Sequence, residues 1–122
     1  MHYSYLPLLS LVASSALAAA DPAPVDLEAA QRGVEHYRIF CANCHGAEAD
    51  GNGPTAKLLK IAPTNLTLLT RMHGGQLDAM RVLKALDGRH LVGGDQKMPV
   101  FSDNLQINPA LDIVEFLKTI QQ

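Results

Sequence analysis

Two cysteines and a histidine fall within five residues, Cys41-Ala42-Asn43-Cys44-His45, and the chain has no other cysteine. Two thiols three residues apart lie on one turn of a helix. There each can add to one vinyl group of a haem. The histidine that follows then places an imidazole nitrogen beneath the iron. This is the C-x-x-C-H pattern of covalent haem attachment. Other uses of paired thiols fit the sequence less well. A thioredoxin-like dithiol expects a strand before it in a βαβ unit, whereas a helix-like segment precedes Cys41. A disulfide between cysteines so close on a helix is geometrically awkward. A zinc site needs two more ligands at recognisable spacing, and none stands out.

An iron held on one side by His45 has a second axial position. Met98 is the first candidate: it lies 53 residues after His45, in a loop bounded by Gly93-Gly94 and Pro99. Such a loop can present a thioether to iron with little helix to break. Met72, Met80, His73 and His90 are its rivals, since Met and His both belong to the menu of haem ligands. Met80 falls on the apolar side of an expected helix, where a methionine reads as core filler. Met72 and His73 precede Gly74-Gly75 in a polar turn and read as exposed, while His90 would give a bis-histidine haem. His36, next to Glu35, reads as a surface imidazole.

The elements that must position these residues are helical. Asp26 is placed to cap a first helix over roughly 27–44, with Val34, Tyr37, Phe40 and Cys41 along one side. Gly51-Asn52-Gly53-Pro54 breaks the chain into loop. A short helix is expected over Thr55–Lys60, stopped by Pro63, and Thr64-Asn65-Leu66-Thr67 can cap one further turn. Gln76–Asp87 reads as a helix with Leu77, Met80, Leu83 and Leu86 inward and Gly88 ending it. A last helix takes Asn108 as N-cap and Pro109 as first residue, with Ile113, Val114, Phe116, Leu117 and Ile120 as apolar positions. No period-2 run appears, so the expected class is all-α with long loops.

The 122 residues leave room for one domain. Residues 1–20 contain no Asp, Glu, Lys or Arg. Leu6–Leu17 is an apolar run shorter than the roughly 20 residues that span a bilayer, and small residues follow it, as at a cleavage site. The expected organisation is a cleaved signal peptide over 1–20, with a retained anchor as the alternative, and a domain over 21–122. A formal net charge of -2 with no Lys/Arg cluster excludes nucleic acid as a natural partner, because counterion-releasing contacts need a basic face.

The whole segment after residue 20 resembles a class I c-type cytochrome, the small bacterial monohaem kind. The resemblance is carried by Phe40-Cys41-Ala42-Asn43-Cys44-His45-Gly46, by Gly51-Asn52-Gly53-Pro54, by Lys97-Met98-Pro99, and by a terminal helix ending in Phe116-Leu117-Lys118. It implies a cytochrome c fold, three to five helices with long loops wrapped around one covalently attached haem c. It implies His45 and Met98 as the metal ligands and Cys41 and Cys44 as the covalent attachment. It also implies that Gly33 and Tyr37 pack across the last helix near Phe116, and that the Pro54 carbonyl accepts a hydrogen bond from the far nitrogen of His45. No tryptophan is present to meet the haem propionates, which leaves Arg71, Arg81 and Arg89 as candidates. The function implied is a periplasmic one-electron carrier, not an enzyme, touching redox protein donors and acceptors transiently. It would meet a membrane only through an uncleaved anchor or membrane-bound partners. The alternatives are a haem enzyme or gas-binding sensor with a displaceable sixth ligand, and a fixed cytochrome subunit of a larger oxidoreductase.

Overall fold

In the computed structural model the residues described are 23–88, 98–101 and 105–122. Residues 1–20, Arg89, His90, Gly93-Gly94 and Lys97, on which some of the expectations above fall, lie outside them. Among the described residues there are five α-helices and no strand: α1 (Leu27–Phe40), α2 (Ala42–His45), α3 (Leu69–Met72), α4 (Ala79–Asp87) and α5 (Ile107–Thr119). Single 3₁₀ turns at Ala56–Leu58 and Leu66–Leu68 punctuate the long loop between α2 and α3. The all-α expectation holds.

α1 starts where Asp26 caps it, its carboxylate accepting from the Ala29 amide at 3.0 Å. The expected helix over 27–44 is interrupted at Cys41, whose φ of -121° leaves the helical region. The chain nonetheless keeps its course, because the Cys41 amide still reaches the Tyr37 carbonyl and the His45 amide the Cys41 carbonyl, at 2.8 and 2.9 Å. α2 therefore continues α1 as a separate turn.

The main helix contact is α1 against α5. Gly33 makes it close: a Cβ placed there would lie 2.0 Å from the Asp112 carbonyl oxygen and 2.9 Å from the Phe116 Cβ. Beside this crossing the Tyr37 and Phe116 rings pack with centroids 5.1 Å apart. The packing implied by the resemblance for Gly33 and Tyr37 is thus present. Tyr37, Ile113 and Val114 are the largest fully buried side chains. Arg32 clamps the same interface, donating through Nε and Nη2 to the two carboxylate oxygens of Asp112 at 3.0 and 2.9 Å. His36 faces that carboxylate too, with Nε2 3.7 Å from Oδ2. It is half-buried against α5 and not the free surface imidazole its neighbour Glu35 suggested.

Three expectations about helix ends and faces are corrected. α5 begins at Ile107 with Gln106 as N-cap, and Pro109 is its third residue. Proline fits there because first-turn amides have no partner within the helix. α4 begins at Ala79, later than Gln76, since the Asp78 side chain caps it by accepting from the Arg81 amide at 3.1 Å. Met80 in that first turn is 60% exposed and does not fill the core. The buried side of α4 is Leu86, with Val82 and Leu83 packed partly against the same cluster. Gly88 ends the helix in a left-handed conformation, as expected. The short helix expected over Thr55–Lys60 is one 3₁₀ turn, and Asn65 caps the next turn through the Thr67 amide.

Candidate haem site

No disulfide joins Cys41 and Cys44. Cys41 is buried in the core cluster with Leu86, Ile113 and Leu117. Burial, with a smaller contribution from Cys44, pushes its thiol up to about 11. Among the described residues no group of three or more His, Cys, Asp or Glu side chains gathers to hold a metal ion. Cys44 is half-buried, and its Sγ lies 3.3 Å from the Thr55 hydroxyl.

His45 is buried at the end of α2. Its Nδ1 lies 2.9 Å from the Thr64 carbonyl oxygen. A carbonyl can only accept, so Nδ1 is the donor and the lone pair of the neutral tautomer falls on Nε2. This is the device that orients a metal-binding imidazole. The acceptor is Thr64 and not Pro54, which corrects the expectation drawn from the resemblance. The physical reason lies in the loop. The Gly53 amide donates to the Cys44 carbonyl at 3.0 Å, and the Thr55 amide to the Asn43 carbonyl at 3.1 Å. Pro54 is held between those ties and is exposed. Pro63 and Thr64 instead pass close to the C-x-x-C-H segment, so close that a Cβ on Gly51 would lie 2.6 Å from the Pro63 oxygen.

Tyr37 secures the other side of His45. Its buried hydroxyl donates to the Gly46 carbonyl at 2.6 Å, and burial moves the phenol far above its usual range. The Gly51 amide binds the His45 carbonyl at 2.8 Å. The histidine is thus fixed through its ring and through both flanking peptides.

His45 opens onto a cavity of about 300 Å³ whose wall also includes Met98. The two residues that sequence reasoning paired as ligands, 53 positions apart, are brought to one space. Leu66, Leu69, Leu77, Val82, Ile113 and Leu117 make most of the remaining wall apolar, as a large flat aromatic cofactor requires. Neither cysteine sulfur lines this cavity, but Cys41 shares the core cluster with Leu86, Ile113 and Leu117 of its wall. Of the rival ligands, Met72 and His73 line the cavity while Met80 does not. Arg81 also lines it, beside Asp78, and Arg71 does not. The donor set and the apolar wall fit a haem. Sequence reasoning missed the Thr64 carbonyl, the Tyr37 hydroxyl and the Asp78 cap.

No curated protein matches the sequence at a significant level. Among solved structures, the chain is similar to a chain of the Kuenenia stuttgartiensis reducing HAO-like protein complex. The two superpose with a TM-score of 0.61 at 19% identity, over 80% of this chain and 45% of that one. This chain therefore spans less than half of that one, and the likeness is one of fold. The sequence profile of the Cytochrome c family matches residues 30–121, a range that runs from α1 through the C-x-x-C-H turn to the end of α5. A helical wrap around a His45- and Met98-lined cavity is what that match would need, and the chain belongs to the cytochrome c family, whose haem c is covalently bound and serves electron transfer.

Proposed function

We propose that the protein is an exported one-electron carrier holding a single haem c through Cys41 and Cys44, with His45 and Met98 as axial ligands. When bound, the haem supplies reversible one-electron chemistry. The observation that carries the reading is the shared cavity of His45 and Met98. With protein ligands on both faces of the iron, a substrate finds no open position, and this favours a carrier over an enzyme. The Thr64 carbonyl holds the His45 ring in place. Histidine and methionine together raise the reduction potential relative to more basic ligand pairs. The apolar wall works in the same direction by disfavouring the more charged oxidised state. Among the described arginines Arg81 lies on the cavity wall, which supports it as a partner for a propionate.

Residues 1–20 serve as a signal peptide in this reading and deliver the domain to the periplasm, where it meets its redox partners briefly. Among the described residues no helix is long and apolar enough to cross a membrane. A second reading, a fixed subunit of a larger oxidoreductase, draws on the fold likeness to a chain of a multiprotein complex. The carrier reading is tested by adding carbon monoxide to the reduced holoprotein and following the Soret band. An unchanged spectrum supports a closed iron; rapid, stoichiometric binding would move the protein to the enzyme or sensor class. Intact mass and fractionation of the exported protein decide between carrier and fixed subunit.

A further inference from the structure

We infer that His73 is a reserve axial ligand, placed to take the iron position that Met98 vacates. The inference rests on the proposed haem ligation and adds a second ligand to the same cavity. His73 follows α3 as its C-cap, and it lines the cavity together with His45 and Met98. Its ring is set in the same way as that of His45. Nδ1 lies 2.9 Å from the Leu69 carbonyl oxygen, which can only accept, so Nδ1 is the donor and the lone pair of the neutral tautomer falls on Nε2. A ring tethered through Nδ1 on the wall of a metal cofactor's cavity has the arrangement of a ligand.

The surroundings allow the ring to be delivered. Gly74 and Gly75 follow directly, with φ of 84° and 95°, and a Cβ built on either meets nothing within 4 Å. The backbone after His73 therefore has open space in which to shift. His36 is engaged elsewhere, facing Asp112 across the α1–α5 contact. Met72 shares the cavity wall but is 59% exposed. It also offers a thioether, whereas an imidazole is the better ligand for the oxidised iron. Exchange of Met98 for His73 would convert a His/Met centre into a bis-histidine centre. The iron would stay six-coordinate and its potential would fall, because methionine ligation is the one that raises it.

The test uses the full-length holoprotein made in a host that attaches haem c. Met98→Ala is compared with Met98→Ala/His73→Gln and with Met98→Ala/His90→Ala by optical and electron paramagnetic resonance spectra of the oxidised form. Glutamine keeps an amide donor for the Leu69 carbonyl while removing the imidazole, so the double variant retains the local fold. The expected result is a low-spin Met98→Ala with a potential below that of the wild type. His73→Gln in that background should give a high-spin iron that binds added imidazole, while His90→Ala leaves it low-spin. A high-spin Met98→Ala, or a low-spin iron that survives His73→Gln, would overturn the inference. The wild-type long-wavelength sulfur-to-iron band reports on Met98 alone. If it is absent, the Met98 ligation itself fails; if it is present while His73→Gln changes nothing, only the reserve role fails.

Discussion

Replacing Gly33 by alanine sets two well-measured effects against each other. Gly33 lies within α1, and alanine at a helix interior is favoured over glycine by about 1 kcal/mol. The structure opposes that gain. The new Cβ would sit 2.0 Å from the Asp112 carbonyl oxygen and 2.6 Å from its carbon. Both are backbone atoms of α5 and have no rotamer to escape into. Restoring non-bonded contacts of about 3.5 Å to both atoms requires the helices to part by roughly 1–1.5 Å. With no side chain able to yield, the cost belongs at the upper end of overpacking, about 3 kcal/mol, and exceeds the helix gain by about 2 kcal/mol. At about 4–8 °C per kcal/mol for a domain of this size, the holoprotein should melt roughly 8–16 °C lower. The assay is thermal unfolding followed by far-ultraviolet circular dichroism, with the haem attached in both proteins. Ile113 and Leu117 on α5 also line the cavity, so the reduction potential should shift with the melting temperature. A variant as stable as the wild type, or more stable, would refute the backbone-contact argument and leave helix propensity in control.

Two further outcomes follow from single contacts. Tyr37→Phe removes one of two donors to the Gly46 carbonyl, which keeps the Ala49 amide at 3.1 Å; it should cost about 0.5–1.5 kcal/mol in denaturant unfolding, and a change within error would show that the hydroxyl is not needed. The Asp50 carboxylate is held below its usual range, first by the Asn52 side-chain amide and then by the Asn52 backbone amide. A depressed carboxylate stabilises the fold above its unfolded value near 4 and loses that contribution as pH falls through the lower folded value. The stability gap between wild type and Asp50→Ala should therefore be open above about pH 4 and close on acidification; a gap independent of pH would contradict this assignment.

What the sequence revealed, and what it did not, divides along the range of the interactions. Cys41, Cys44 and His45 were legible because their chemistry depends on spacing within one turn. Asp26 and Gly88 were legible as helix ends for the same local reason. Met98 stood out as a candidate from its Met-Pro loop context, and the fold brings it to the cavity of His45. The Thr64 carbonyl could not be read, because a backbone acceptor has no side-chain signature. It was found only where the loop returned past the imidazole. Asp112 reads as one polar residue in an apolar helix until Arg32, 80 positions away, is seen to pair with it. Met80 misled because apolar periodicity marks a stripe wider than the part that α5 and the loops cover. Asn108 and Pro109 misled because either can occupy several places in a first turn.

The proposed ligation is most directly examined in the oxidised holoprotein, through the weak long-wavelength absorption that marks sulfur bonded to ferric haem. The band should be present in the wild type and absent from Met98→Ala, with His45 still bound in both. Its absence from the wild type, or its survival in Met98→Ala, would contradict the pairing of His45 with Met98 and reopen the enzyme and sensor readings.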